Sequence, residues 1–359
     1  MPIRLLVVDD SALMRRHMRQ VFEAEGGFEL AFARNGREAL DQAAAFRPDV
    51  VTLDVNMPEL DGLSCLEQLS RTGSQARVVM VSSLTEEGAA VTLRALQLGA
   101  VDFVPKPDGT VSLSIDRIRP MLLDKVRTAA RARPRRAIGL RERVTARRAT
   151  VERGAAAVAQ RGALRSAVNG LVLVGVSTGG PRTLEEILPL LPEGFPWPVL
   201  VAQHMPSSFT GVFARRMDGL CALEVTEVSG PVPLERGRIY IGRGDTDLVV
   251  EKRLGRLVAN AVPPDGSLWH PSADRLVASA MAALPAGSLT GVLLTGMGDD
   301  GAAAMAELRR RGGRTIAEAE SSAVVFGMPA ELIRRGGADV VLPADGVARQ
   351  LLAWARRDG

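Results

Sequence analysis

The sequence predicts two α/β modules, each built on a parallel sheet, with a basic stretch between them. Three observations carry that prediction. Short apolar runs alternate with amphipathic, helix-spaced stretches up to about residue 124, and again from Gly170 onward. The turns between them are short, as βαβ crossovers allow. Polar side chains with chemistry to offer stand at the carboxyl ends of the apolar runs, where open parallel sheets gather function.

Taken in order, Ile3–Val8 reads as a buried strand and Ser11–Ala24 as an amphipathic helix. Phe28–Ala33, Val50–Leu53, Arg77–Val81 and Val101–Val104 supply four more strands. Between and after them the helix spacing returns at about 36–46, 63–69, 86–98 and 113–127. Five βα units predict a doubly wound parallel sheet over residues 1–124. Beyond Gly170, Leu171–Val176 runs into Ser177, Val199–Gln203 into His204, and Val292–Thr295 into the loop Gly296-Met297-Gly298-Asp299-Asp300-Gly301. A helix pattern from Ala302 to Arg311 follows. This second alternation predicts another doubly wound parallel module, over residues 169–359.

At 46% hydrophobic and 24% charged, the 359 residues can bury two cores and are not a disordered chain. No apolar run approaches the roughly 20 residues of a membrane helix. The short run Leu5–Val8 ends in two Asp and lacks the long core of a secretory signal. Cys65 and Cys221 fall in different modules and read as reduced core thiols. These points together predict a cytoplasmic protein with no membrane insertion.

The pI near 9.6 invites a nucleic-acid reading. The basic charge is local, however. Residues 127–165 hold twelve Arg against Glu142 and Glu152, so the rest of the chain is net acidic. That segment is rich in Ala and Arg and has no aromatic residue for base stacking. Residues 125–168 are therefore read as a solvated linker, with a phosphate-binding arm as the alternative, and nucleic acid is not the expected partner.

Asp9 and Asp10 end the first strand, Asp54 ends the third and Lys106 follows the fifth. One such carboxylate is commonly a helix cap. Three converging carboxylates repel one another unless a divalent cation joins them, and Mg²⁺ suits carboxylates, water and phosphate oxygens. Ser82 and Phe103, taken alone, read as a strand-end polar residue and a core aromatic.

In the second module a Ser, a His and an Asp reach three strand ends of one sheet. A Ser hydroxyl needs a base to take its proton, an imidazole can do so near neutral pH, and a carboxylate fixes the imidazole tautomer. Thr178 and Met297 are candidate backbone N–H donors to the oxyanion. Asp299 and Asp300 are not separable on these grounds. Each residue has a duller reading as a cap or a satisfied strand-end group. Gly175-x-Ser177-x-Gly179 has nucleophile-elbow spacing, but the order Ser, His, Asp is not that of α/β-hydrolases. Gly296-x-Gly298-x-x-Gly301, with Glu318 and Glu320 about 20 residues on, also fits a dinucleotide fingerprint. Two carboxylates where the pyrophosphate must sit argue against it.

Leu5-Leu6-Val7-Val8-Asp9-Asp10, Asp54-Val55-Asn56-Met57-Pro58-Glu59-Leu60-Asp61-Gly62 and Phe103-Val104-Pro105-Lys106-Pro107 resemble a two-component receiver domain of flavodoxin-like fold. The resemblance implies Asp54 as phosphoacceptor, and Mg²⁺ on Asp9, Asp10, Asp54 and the Asn56 carbonyl. It also implies Lys106 on the phosphoryl group, Ser82 with Phe103 as switch pair, and a cis Lys106–Pro107 bond. Val174-Gly175-Val176-Ser177-Thr178-Gly179-Gly180-Pro181, Gln203-His204-Met205-Pro206-Ser207-Ser208-Phe209-Thr210, His270-Pro271-Ser272-Ala273-Asp274 and Leu294-Thr295-Gly296-Met297-Gly298-Asp299-Asp300-Gly301 resemble the catalytic domain of the chemotaxis protein-glutamate methylesterases. That likeness implies the triad Ser177, His204 and Asp300. It further implies ester hydrolysis without a cofactor, methyl-accepting chemoreceptors as substrate, a histidine kinase as partner, and activation by phosphorylation. Ile239-Tyr240-Ile241-Gly242-Arg243-Gly244-Asp245 departs from the family, which commonly has Ala-Pro-Gly after this strand.

Overall fold

The structure is a computed structural model that describes residues 1–83, 85–106, 111–132, 168–266 and 269–357. These fall into two units, one before and one after residues 133–167. Among the described residues no helix is long and apolar enough to cross a membrane.

The first unit is the expected parallel sheet of five strands. They are β1 (Ile3–Val8), β2 (Phe28–Ala33), β3 (Val50–Asp54), β4 (Arg77–Ser82) and β5 (Asp102–Pro105), in the order β2-β1-β3-β4-β5. Five helices alternate with them: α1 (Ala12–Glu25), α2 (Gly36–Phe46), α3 (Gly62–Arg71), α4 (Glu86–Leu98) and α5 (Val111–Arg131). Side chains of Ser11, Asn35, Asp61 and Thr85 cap the first four by accepting from a backbone N–H three residues on.

Helix α5 continues to Arg131, past residue 125 where the linker is expected to start. Leu122, Val126 and Ala129 repeat at helical spacing and are buried. Lys125 pairs with Asp102 at 2.7 Å and Arg127 with Glu25 at 2.7 Å. The first basic residues of the Arg-rich run are thus part of a packed helix. The rest of that run, and Pro107 with its expected cis bond, lie outside the described residues.

The second unit holds a seven-stranded sheet in which every pairing is parallel. Its strands are β6 (Leu171–Val176), β7 (Val199–Gln203), β8 (Glu224–Val228), β10 (Arg238–Gly242), β13 (Leu289–Leu293), β14 (Arg314–Glu318) and β15 (Val340–Leu342). Spatial order is β15-β14-β13-β6-β7-β10-β8. From β6 the chain moves outward to β7 and later returns to the other side at β13. The strand order therefore reverses between β6 and β13, which opens a crevice at their carboxyl ends. Helices α6 (Gly180–Ile187), α7 (Ser207–Asp218), α8 (Ala273–Ala283), α9 (Ala302–Arg310), α10 (Met328–Arg334) and α11 (Ala344–Ala355) complete the unit.

A small antiparallel sheet was not anticipated. It pairs β11 (Asp247–Arg253) with β12 (Arg256–Val262) and β12 with β9 (Val232–Pro233). Leu254 and Gly255 join β11 to β12 with φ of 49° and 76°. Two successive positive φ values make the tight turn that matches the strand twist.

Candidate active site

Register across the large sheet brings the expected residues together. Val176 is opposite Gln203, so one step further along Ser177 stands beside His204. The His204 N–H donates to Val176 O at 3.1 Å, and the Ser177 N–H to Thr295 O at 2.9 Å. Ser177 thus sits between the strand ends that carry His204 and the Gly-rich loop. Gly179, with φ of 78°, lets the chain turn at once into α6.

His204 Nε2–H donates to Asp300 Oδ2 at 2.8 Å, and both side chains are largely buried. Asp299 instead points outward and pairs with Arg335 at 3.3 Å. The geometry separates the two acids, which strand-end position alone left equivalent and which the resemblance distinguished in favour of Asp300. His204 Nδ1 is buried with no hydrogen-bond partner. The hydroxyl of Ser177, which is partly exposed, makes no hydrogen bond to it in this structure.

Asp300 is held from three further directions. Ser272 Oγ donates to Oδ1 at 2.9 Å, the Ala273 N–H to Oδ2 at 2.6 Å and the Asp274 N–H to Oδ1 at 3.0 Å. All three donors belong to the N-terminus of α8, whose partial positive charge suits an anion. Burial opposes ionisation of Asp300, but His204 and these N–H groups outweigh it and hold the carboxyl below its usual range. The order of residues 270–274 is what makes this possible, and the sequence flagged that segment only by resemblance.

The Gly-rich loop is pressed against Ser177. A Cβ on Gly296 would lie 2.7 Å from Ser177 Cβ and would strike Met328 Sδ. Among the described residues, the Met297 N–H makes no hydrogen bond within the protein. The Thr178 carbonyl accepts from Thr295 Oγ1 at 2.9 Å, which ties the Ser177 turn to this loop. β13 ends at Leu293, two residues before the expected Thr295, which is fully buried. Its side chain also accepts from the Val325 N–H at 3.0 Å. Glu318 is fully buried and accepts from the Thr295 N–H at 2.8 Å and Ser322 Oγ at 2.8 Å. Of the two acids in the dinucleotide-fingerprint reading, Glu318 is thus committed to Thr295 and Ser322, and Glu320 is exposed.

Sequence reasoning also missed Gln203. Its Nε2 donates to Ser177 O at 3.0 Å and His204 O at 3.2 Å, so one buried amide spans both turns. The departing segment at the end of β10 braces the neighbouring turn. Asp245 Oδ2 accepts from the Ser207 N–H at 3.1 Å and Ser207 Oγ at 2.6 Å, and so caps α7.

In the first unit Asp9 and Asp54 are buried and Asp10 is exposed. Lys106 Nζ lies 3.0 Å from Asp9 Oδ2 and 2.6 Å from Asp54 Oδ2. Burial pushes the Asp54 carboxyl up to about 6, partly offset by Lys106. Burial would lower Lys106, but Asp9 and Asp54 outweigh it and raise its pKa. Ligand oxygens of Asp9, Asp10 and Asp54 all lie within 4.8 Å of one another. The Oδ2 atoms of Asp9 and Asp54 are buried without an aligned hydrogen-bond donor. This donor set fits a hard divalent cation. Asn56 is exposed beside it, with its N–H donating to Asp54 Oδ1 at 3.3 Å. Ser82 Oγ donates to Gly88 O at 3.2 Å, and Phe103 is buried with the Lys125 ammonium 5.4 Å from its ring centre.

Comparison with known proteins agrees with this division. The response regulator receiver domain family matches residues 5–114 and the CheB methylesterase family matches residues 172–351. A Rhodospirillum rubrum protein named protein-glutamate methylesterase/protein-glutamine glutaminase 3 is 58% identical over 99% of this chain and 96% of its own. The chain belongs to the CheB methylesterase family. A second CheB relative, protein-glutamate methylesterase/protein-glutamine glutaminase 2 of Rhodopseudomonas palustris, is 52% identical over 99% of both chains. The solved CheB methylesterase catalytic domain of Thermotoga maritima is 36% identical, with a TM-score of 0.50 over 52% of this chain and 98% of that one.

Proposed function

We propose that the chain is a phosphorylation-activated protein-glutamate methylesterase. It hydrolyses glutamate methyl esters, and deamidates glutamines, on the cytoplasmic helices of methyl-accepting chemoreceptors. The observation that carries the reading is the buried His204–Asp300 hydrogen bond beside Ser177, with His204 Nδ1 left as the acceptor nitrogen.

In this reading Ser177 Oγ gives its proton to His204 Nδ1 and attacks the ester carbonyl carbon. The N–H groups of Thr178 and Met297 receive the oxyanion. As the tetrahedral centre collapses, His204 returns the proton to the departing methoxide and methanol leaves. Water then loses a proton to His204 and attacks the acyl-enzyme, and His204 returns that proton to Ser177 Oγ as the glutamate side chain leaves as a carboxylic acid that ionises in solvent. Amide substrates follow the same path with ammonia leaving. Asp300 keeps the Nε2–H tautomer and steadies the transient imidazolium. The unmade Ser177–His204 bond is compatible with this, since catalytic hydrogen bonds often tighten only with substrate bound. Protein groups account for every hydrolytic step, so no cofactor enters it.

In the receiver domain, Asp9, Asp10, Asp54 and the Asn56 carbonyl would hold Mg²⁺. The ion supplies positive charge to phosphoryl oxygens. Asp54 Oδ accepts the phosphoryl group from a histidine kinase, Lys106 pairs with it, and Ser82 with Phe103 respond. The proposed organisation keeps the receiver ahead of the methylesterase domain, with the Arg-rich segment as linker.

A serine-directed phosphonylating reagent tests the nucleophile without any receptor. The account expects one adduct, on the peptide containing Ser177, and slow labelling of His204→Ala. Equal labelling of parent and variant would contradict the assignment of His204 as base.

A further inference from the structure

His204 has a second ring neighbour besides its carboxylate. The indole of Trp269 lies beside the imidazole in an offset, near-parallel arrangement, with centroids 5.8 Å apart and planes 12° from parallel. Offset stacking is favourable at such distances, and a cation within about 6 Å of a Trp face is attracted to it. We propose that Trp269 is a positioning residue for the triad, which orients the His204 ring and stabilises the imidazolium each time that ring accepts a proton. The inference rests on the esterase reading of Ser177, His204 and Asp300.

Trp269 is built into a braced segment. Its neighbour His270 donates through Nδ1–H to Asp247 Oδ1 at 2.8 Å. Asp247 is fully buried and also accepts from the Ser272 N–H at 2.7 Å and from Arg275 at 2.6 Å. One carboxylate therefore pins residues 270–275 to the start of β11. The same segment supplies Ser272, Ala273 and Asp274 to Asp300. Residues 269–274 thus approach the His–Asp pair twice, through the face of the ring and through the carboxylate. Fixing both partners from one anchored segment sets their mutual angle, which proton transfer depends on.

The charge balance gives the indole something to do. When Ser177 Oγ–H passes its proton to Nδ1, the ring becomes positive between Asp300 and the π-face. When the proton moves on to methoxide, the ring is neutral again. Other charged groups on the elements around the ring are Asp299, Asp274, His270, Asp247, Arg275, Arg243 and Asp245. Among the described residues only Asp300 makes a hydrogen bond or ion pair with the imidazole.

The test is the pH profile of kcat/KM and kcat for methanol release by the full chain, with Trp269→Leu, Trp269→Phe and His204→Ala. Trp269→Leu should lower kcat by about 5- to 30-fold, with KM altered less than about twofold. Its acid limb should move down by roughly half a pH unit or more, because the protonated ring has lost support. Trp269→Phe should fall between the two in both respects, and it alone decides the matter if the Leu variant does not fold. An acid limb that stays in place, or a Phe variant as impaired as the Leu variant, overturns the stacking role. Activity surviving in His204→Ala would instead overturn the esterase reading beneath it.

Discussion

Thr295 Oγ1 joins two turns that must keep register, since it donates to the Thr178 carbonyl and accepts from the Val325 N–H. Thr295→Val keeps the shape and removes both bonds. The loss should be about 1–3 kcal/mol of stability, read from urea unfolding. A small displacement of Ser177 against the oxyanion donors should also lower kcat by about 10- to 100-fold. Asp300 carries a pH prediction. Its carboxyl is held below the ordinary 3.8, so its stabilisation is complete above about pH 4 and is lost as pH falls through the lowered value. The melting-temperature gap between parent and Asp300→Asn should be full above about pH 4 and should narrow as the pH is lowered below that. A gap independent of pH would contradict the charged pairing. Ser177, His204 and Asp300 were legible as candidates because each follows an apolar strand. Gln203, Thr295 and Trp269 were not, and Glu318 was read only into a dinucleotide fingerprint, because a packed polar or aromatic residue reveals its role only through partners distant in sequence.

Elements were readable where one period dominated. The parallel strands are continuous apolar runs, and the helices of the first unit carry their caps in the sequence. The hairpin β11–β12 escaped notice because Asp247–Arg253 mixes an apolar half with a charged half and its turn has only one Gly. Helix α5 ran further than expected because its apolar positions sit inside an Arg-rich run that reads as solvated. The segment after β10 shows how a family departure can be structural. Gly244 packs where a Cβ would strike the backbone at Met205 O and Ser207 N. Gly244→Ala should therefore cost about 1–3 kcal/mol and lower the melting temperature, through displacement of the turn that follows His204. An unchanged melting temperature would mean that this turn yields freely.

At the scale of the whole molecule, two parallel sheets each bring acids or a nucleophile to their carboxyl ends, and the sequence showed both sheets before any side chain was placed. In the proposed account one sheet accepts a phosphoryl group and the other cleaves an ester. The link between them predicts that a small-molecule phosphodonor with Mg²⁺ raises methylesterase turnover, and that Asp54→Asn removes the increase. Stimulation that persists in Asp54→Asn would disprove the regulatory half of the account and leave the hydrolytic half standing. That hydrolytic half is tested most directly by methanol release from methylated chemoreceptor fragments, comparing the parent chain with Ser177→Ala. A fall of roughly 10⁴-fold or more is the predicted result, and near-parental release from Ser177→Ala would contradict it.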